Sequence, residues 1–192
     1  MSTRKGNIVA LEDVINACIK KADAVIEAKN PELENRKAAA RDVGLGAAVF
    51  SALTSNRIKD IFFSYDRILS FDGETAPYVQ YTYARCKSVL SKADFDLAAA
   101  DFSELTAEEH ALLGGLREFP DTLLAAAEKY EPSFVTRLMV DIAKAYNKFY
   151  FECRILGEEE GVTQKRLALT ACTATVLKTG FSLLGINMPE KM

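Results

Sequence analysis

The sequence predicts an all-α protein, a bundle of amphipathic helices without a sheet. Three observations carry that expectation. Apolar residues recur every three or four positions through most of the 192 residues. Stop and start residues stand where those runs end and begin. Alternating or β-branched runs are almost absent.

The first helix is expected from Leu11 to about Ala28, where Leu11, Val14, Ile15, Cys18, Ile19, Ala22, Val25 and Ile26 form one stripe and Asn30-Pro31 stops it. A second is expected from Pro31 or Glu32 to near Val43. There Gly44 and Gly46 permit close approach, before an apolar stretch over 47–53. Ile58, Ile61, Phe62, Phe63, Tyr65, Ile68 and Leu69 are rich in β-branched and aromatic types, which suits a short extended piece. Asp72-Gly73 marks a loop, and Pro77 suits the first turn of the helix that follows. Residues 93–105 read as a polar connector. Thr106 with Glu109 three residues on is a capping box before the next apolar run. Three more helical segments are expected near 119–130, 133–156 and 163–184, the last closed by Gly185.

Composition narrows the function classes. The net charge is −3, with 49% hydrophobic and 27% charged residues, so bulk charge offers no general pull on nucleic acid. The balance is uneven: residues 1–70 hold 11 Lys/Arg against 9 Asp/Glu, and residues 71–192 hold 13 against 18. No apolar run reaches the length of a membrane span, and the first residues lack a signal-peptide core, so the expected compartment is the cytoplasm. Four scattered cysteines without CxxC pairing read as reduced and mostly buried, and no cluster of metal ligands is present. A single histidine, His110, has no nucleophile in a recognisable setting beside it.

Two features rise above this background. Ser2, Thr3, Arg4, Lys5 and Gly6 bring hydroxyls, cations and a flexible backbone to the front of a helix, where the macrodipole favours anions; a plain basic N-terminus has the same composition. Tyr78, Tyr81 and Arg85, spaced by three and four, share one helix face. Such a face either stacks unpaired bases and clamps phosphate, or packs in a bundle core.

Four blocks then add a resemblance. "MSTRKGNIVALEDVI" resembles the flexible signature loop of class I aminoacyl-tRNA synthetases, in the form found in arginyl-tRNA synthetases. "DIFFSYDRILSFDGETAPYVQYTYARCKSVL" resembles that family's junction between catalytic and anticodon-binding parts. "FPDTLLAAAEKYEPSFVTRLMVDIAKAYNKFYFECRIL" resembles its helical anticodon-binding domain, and "RLALTACTATVLKTGFSLLGINMPEKM" its C-terminal end. The blocks run in order along the whole chain. The resemblance implies stem-contact-like helices and a signature loop over residues 1–74, then an anticodon-binding bundle over 75–192.

The functional expectations follow from the same resemblance. It implies that the chain is the C-terminal third of an ATP-dependent arginine–tRNA ligase, with the nucleotide- and arginine-binding half lying outside it, so that alone it is inactive and takes no cofactor. In the complete enzyme, Ser2, Thr3, Arg4 and Lys5 would close over ATP with its Mg2+. Thr3 departs from the lysine that many class I enzymes carry there. Gly73, Tyr78, Tyr81, Arg85, Tyr150 and Met192 match positions facing the anticodon loop of tRNA(Arg), while L-arginine and ATP would be partners of the full enzyme only. Neither DNA nor a membrane is implied. Residues 1–70 would pack on the missing half, leaving a stripe such as Val14, Cys18 and Val25 uncovered. A non-catalytic helical module that binds tRNA or a protein is the rival reading, separated from the first by whether the aromatic–arginine face is exposed.

Overall fold

The computed structural model describes residues 10–56, 58–59 and 64–192. Among them there is no strand; eight helices and one short 3-10 turn carry the architecture. Helices α1 (Leu11–Lys29) and α2 (Arg36–Thr54) pack along each other as a hairpin. A single turn, α3 (Tyr65–Ile68), leads into α4 (Ala76–Leu90). The connector holds the 3-10 turn Leu97–Ala99. After it come α5 (Ala107–Arg117), α6 (Phe119–Lys129), α7 (Ser133–Glu152) and α8 (Glu160–Leu183). Helix α7 runs through the middle of the bundle, touching α2, α4, α5, α6 and α8.

The ends of these helices follow their local chemistry. The Thr75 side chain accepts from the Tyr78 amide at 3.3 Å and Pro77 sits in the first turn, so α4 starts firmly. Thr106 and Glu109 close a reciprocal capping box at the start of α5. Beyond α8, Gly185 turns left-handed (φ 72°), with Ile186 N–H donating to the Phe181 carbonyl at 2.9 Å and Gly185 N–H to Ser182 at 3.0 Å, a Schellman arrangement.

Two apolar clusters result. The larger gathers Phe50, Val79, Tyr83, Met139, Ile142, Phe149, Leu177, Phe181 and their neighbours; the smaller gathers Cys18, Ala22, Ile26, Val43, Ala47, Ile68 and Leu69. Cys18, Cys86 and Cys153 are buried free thiols and Cys172 is exposed. Burial pushes the Cys86 thiol up to about 12, which keeps it protonated and inert.

Three expectations change. Helix α2 does not end near Val43 but runs on through Gly44 and Gly46, both buried, because the α1 backbone lies directly against Gly44: a Cβ there would sit 2.6 Å from Ile19 Cα. Tyr65–Ile68 forms a helical turn rather than an extended piece, while positions 60–63 of that stretch lie outside the described residues. The stripe through Val14, Cys18 and Val25 is not left bare: Cys18 is wholly buried in the smaller cluster, Val14 packs against it, and Val25 is half-buried.

Candidate nucleic-acid interface

The site grows out of the two faces of α4. Val79, Thr82, Tyr83, Cys86 and Val89 face inward and are buried, which leaves Tyr81 and Arg85, one helical turn apart, on the outer side. Near the end of α7, Phe149 is buried, and its neighbour Tyr150 therefore turns outward. The two helices pack together, and this brings Tyr150 to Arg85. The guanidinium carbon lies 5.1 Å from the Tyr81 ring centroid and 4.8 Å from that of Tyr150, within cation–π range of both. Each tyrosine is 42% exposed. Half-exposed rings beside a guanidinium on a bundle surface can stack a splayed base.

Supports surround this trio. The Arg85 guanidinium donates from Nη1 to Asn147 Oδ1, and Asn147 Nδ2 donates to Thr82 Oγ1 at 2.9 Å. Phe71 meets Tyr81 edge-on, centroids 6.4 Å apart, and Lys29 Nζ lies 4.4 Å from the Phe71 centroid. Tyr146, buried beneath, stacks obliquely against Tyr150 at 6.3 Å.

The trio opens onto a cleft of about 740 Å³ between α4, Tyr150, the α1–α2 turn and the segment Glu190–Met192. Arg85, Lys87, Lys92 and Lys191 line it against a single acidic side chain, Glu190, which already pairs with Lys87 at 3.2 Å. A chain of net charge −3 thus carries a local basic hollow, which whole-chain bookkeeping hides. Asn30 Nδ2 donates to the Met192 carbonyl at 3.3 Å and fixes the far wall.

Four of the six residues expected to face RNA, Tyr81, Arg85, Tyr150 and Met192, meet in this one cleft. Tyr78 does not line it: it lies half-buried against the larger cluster, one turn towards the start of α4. Gly73, exposed with φ 88°, borders a separate hollow of about 650 Å³ beside Asp66, Arg67 and Asp72. Ser2, Thr3, Arg4 and Lys5 lie outside the described residues. Sequence reasoning missed Asn147, Phe71, Lys87 and Lys92. For Asn147 a signal existed: it stands three residues before Tyr150 and shares its helix face. No group of three or more potential metal ligands occurs among the described residues. The cleft has stacking surfaces and hydrogen-bond donors, which suit recognition of a base or a phosphate.

Comparison with known proteins gives a consistent picture. Residues 79–192 match the DALR anticodon binding domain, and residues 1–65 match the catalytic domain of class I tRNA synthetases of the arginine type. Similar sequences include the arginine–tRNA ligases of Halothermothrix orenii, 51% identical over all of this chain and 34% of its own length, and of Clostridium perfringens, 46% identical over all of this chain and 35% of its own. Among solved structures, Thermus thermophilus arginyl-tRNA synthetase superposes with a TM-score of 0.90 at 36% identity, over 96% of this chain and 32% of that one. A Plasmodium falciparum arginyl-tRNA synthetase shares the fold at 23% identity and a TM-score of 0.85, over 96% of this chain and 34% of that one. The chain spans about a third of the length of the relatives it matches.

Proposed function

We propose a function from one premise: this chain belongs to the family of DALR anticodon binding domains, and its share of that family's work is to hold the anticodon loop of an arginine tRNA. The observation that carries the reading is the convergence of Tyr81, Arg85 and Tyr150, from two helices, on one exposed basic cleft. The rings offer stacking faces to unpaired bases, and the guanidinium supplies donors to base acceptors and phosphate. Exposure of these side chains favours RNA over the rival reading of a protein-binding module. Met192 forms the wall opposite; Tyr78 and Gly73, towards the start of α4, would meet the loop's flank.

The parent activity is ATP-dependent attachment of arginine to tRNA(Arg). Within it, Ser2, Arg4 and Lys5 would close over ATP and its Mg2+ and stabilise charge on the departing pyrophosphate, with Thr3 beside them. L-Arginine and ATP would bind chiefly to the two-thirds of the relatives that this chain does not span. We divide the chain into a stem-contact part (1–74) and an anticodon-binding part (75–192): the buried members of the smaller cluster lie within 18–69, and those of the larger, apart from Phe50, within 76–186. RNA binding by this chain is placed in the cytoplasm, with the rest of the parent enzyme; no described helix is long and apolar enough to cross a membrane.

The test is binding of the 192-residue chain to an arginine anticodon stem-loop, with a stem-loop altered at the middle anticodon base as control, both at low salt. The expected result is preference for the arginine loop, lost in Arg85→Ala. Tyr81→Ala should weaken binding by about 1–3 kcal/mol, the range of one base–aromatic stack. Equal binding of both loops by the unaltered chain overturns the reading.

A further inference from the structure

We infer that Asn147 is the positioning residue of this cleft, fixing the plane of the Arg85 guanidinium so that its remaining N–H groups read an acceptor-bearing base edge. The inference rests on the proposed RNA-binding function and names what makes Arg85 selective rather than merely charged. An arginine side chain left to itself samples many rotamers, and a mobile cation attracts any phosphate equally. Selectivity needs the donors held in a fixed direction.

The hydrogen bonds around Asn147 have only one consistent direction. Thr82 is fully buried, and its hydroxyl donates its single proton to the Tyr78 carbonyl at 2.9 Å. Arg85 can only donate, so the Asn147 oxygen belongs to the guanidinium and the amide nitrogen faces the Thr82 hydroxyl, 2.9 Å away, which accepts. The donor-only guanidinium and the accepting threonine thus agree on a single orientation of Asn147. One of the five guanidinium N–H groups is consumed there, while the Tyr81 and Tyr150 rings confine the side chain. A guanidinium only donates, so the held fork accepts a base edge offering carbonyl or ring-nitrogen acceptors and rejects one that places an amino group there. The amide also leaves the charge of Arg85 intact, which a carboxylate at 147 would cancel.

The experiment uses the 192-residue chain with Asn147→Leu, close in size but without polar atoms, and Asn147→Asp, which keeps the acceptor. The probes are the arginine anticodon stem-loop and its middle-base variant. Asn147→Leu should lower the preference between the two loops roughly tenfold, as expected for losing the hydrogen bond that orients a charged group. Arg85→Ala combined with Asn147→Leu should be no worse than Arg85→Ala alone, because the two residues act as one unit. Asn147→Asp should keep the preference, bind both loops more weakly, and reduce the salt slope by about one. Nitrogen NMR of Arg85, without RNA, should show separate Nη signals in the unaltered chain and in Asn147→Asp, merged by free rotation in Asn147→Leu. Preference retained in Asn147→Leu, additive losses in the double variant, or unchanged Nη signals would each overturn the inference. If the unaltered chain does not discriminate between the loops, the functional reading fails, and the Nη signals alone then decide whether Asn147 orients Arg85.

Discussion

Replacing Glu109 with alanine is expected to destabilise the chain by about 3–5 kcal/mol, the range for removing one partner of a buried ion pair. Glu109 is fully buried at the start of α5. Its carboxylate accepts from Arg166 Nε at 2.7 Å and from the Thr106 amide at 3.0 Å, and it pairs with Lys165 Nζ at 3.0 Å. Both cations come from α8, so one carboxylate caps its own helix and binds it to another. Truncation would leave the buried Lys165 ammonium and the nearly buried Arg166 beside an empty space without a counter-charge from Glu109, each held only by a backbone carbonyl, of Glu104 and Arg154 respectively. Urea unfolding measures the loss; a change below about 1 kcal/mol would sink the argument. The pH dependence has a definite sign. Burial raises the Glu109 carboxyl, but the bonds from Arg166, Thr106 and Lys165 outweigh it and hold the group below the usual carboxylate range. The folded form therefore binds its proton less readily than the unfolded chain, and this contribution is full above the unfolded pKa of about 4.3. It disappears as pH falls through the lower folded value. Glu109→Gln should accordingly show a shallower acid limb than the unaltered chain.

Two glycine-to-alanine substitutions inside helices should act in opposite directions. At Gly44, a Cβ would lie 2.6 Å from both the Cα and the N of Ile19 and 2.8 Å from the Cys18 carbonyl carbon. These are backbone atoms of α1 and cannot swing aside, so α1 must move away from α2 and loosen the smaller cluster. A cost of about 1–3 kcal/mol is expected from such overpacking, even though alanine is the better helix former by up to about 1 kcal/mol. At Gly114 in α5 nothing lies within 4 Å of the same added carbon. There the propensity gain stands unopposed, and Gly114→Ala should stabilise by roughly 0.5–1 kcal/mol. Midpoints of urea unfolding for the two variants on opposite sides of the parent value are the expected result, and a shift of Gly44→Ala towards higher urea would contradict the packing account.

These cases mark what was legible in the sequence. The capping box at Thr106 was readable because both partners lie within one helical turn. The salt-bridge partners of its glutamate lie more than fifty residues away, and no local pattern announces them. Gly44 and Gly46 were legible as a place of close approach, and α1 does lie against Gly44; that the helix continues through them instead of ending near Val43 depends on that contact. The aromatic stretch around Tyr65 suggested extended backbone, but β-propensity largely expresses the fit to a sheet, and among the described residues there is none to join. The cleft followed the same division. Tyr81 and Arg85 share a face by spacing alone, whereas Tyr150 needed the family resemblance, and the Asn147 bridge needed the packing of α4 on α7. The separation of Gly73 from the cleft likewise depends on how the loop before α4 turns.

The course of α2 has one more consequence. Val43 and Ala47 belong to the smaller cluster, while Phe50, one turn further along the same helix, belongs to the larger and lies against Phe181 with ring centroids 5.5 Å apart. Gln80 on α4 reinforces the junction, donating to the Asp42 carbonyl at 3.2 Å and to the Asn187 carbonyl at 2.8 Å. No loop separates the two cores at this point, so neither can melt without unwinding a helix the other needs. The two cores are therefore expected to unfold as one cooperative unit. Energy invested in the α1–α2 hairpin is thereby shared with the surface proposed to read RNA, and a weakened hairpin lowers the population of chains able to present that surface.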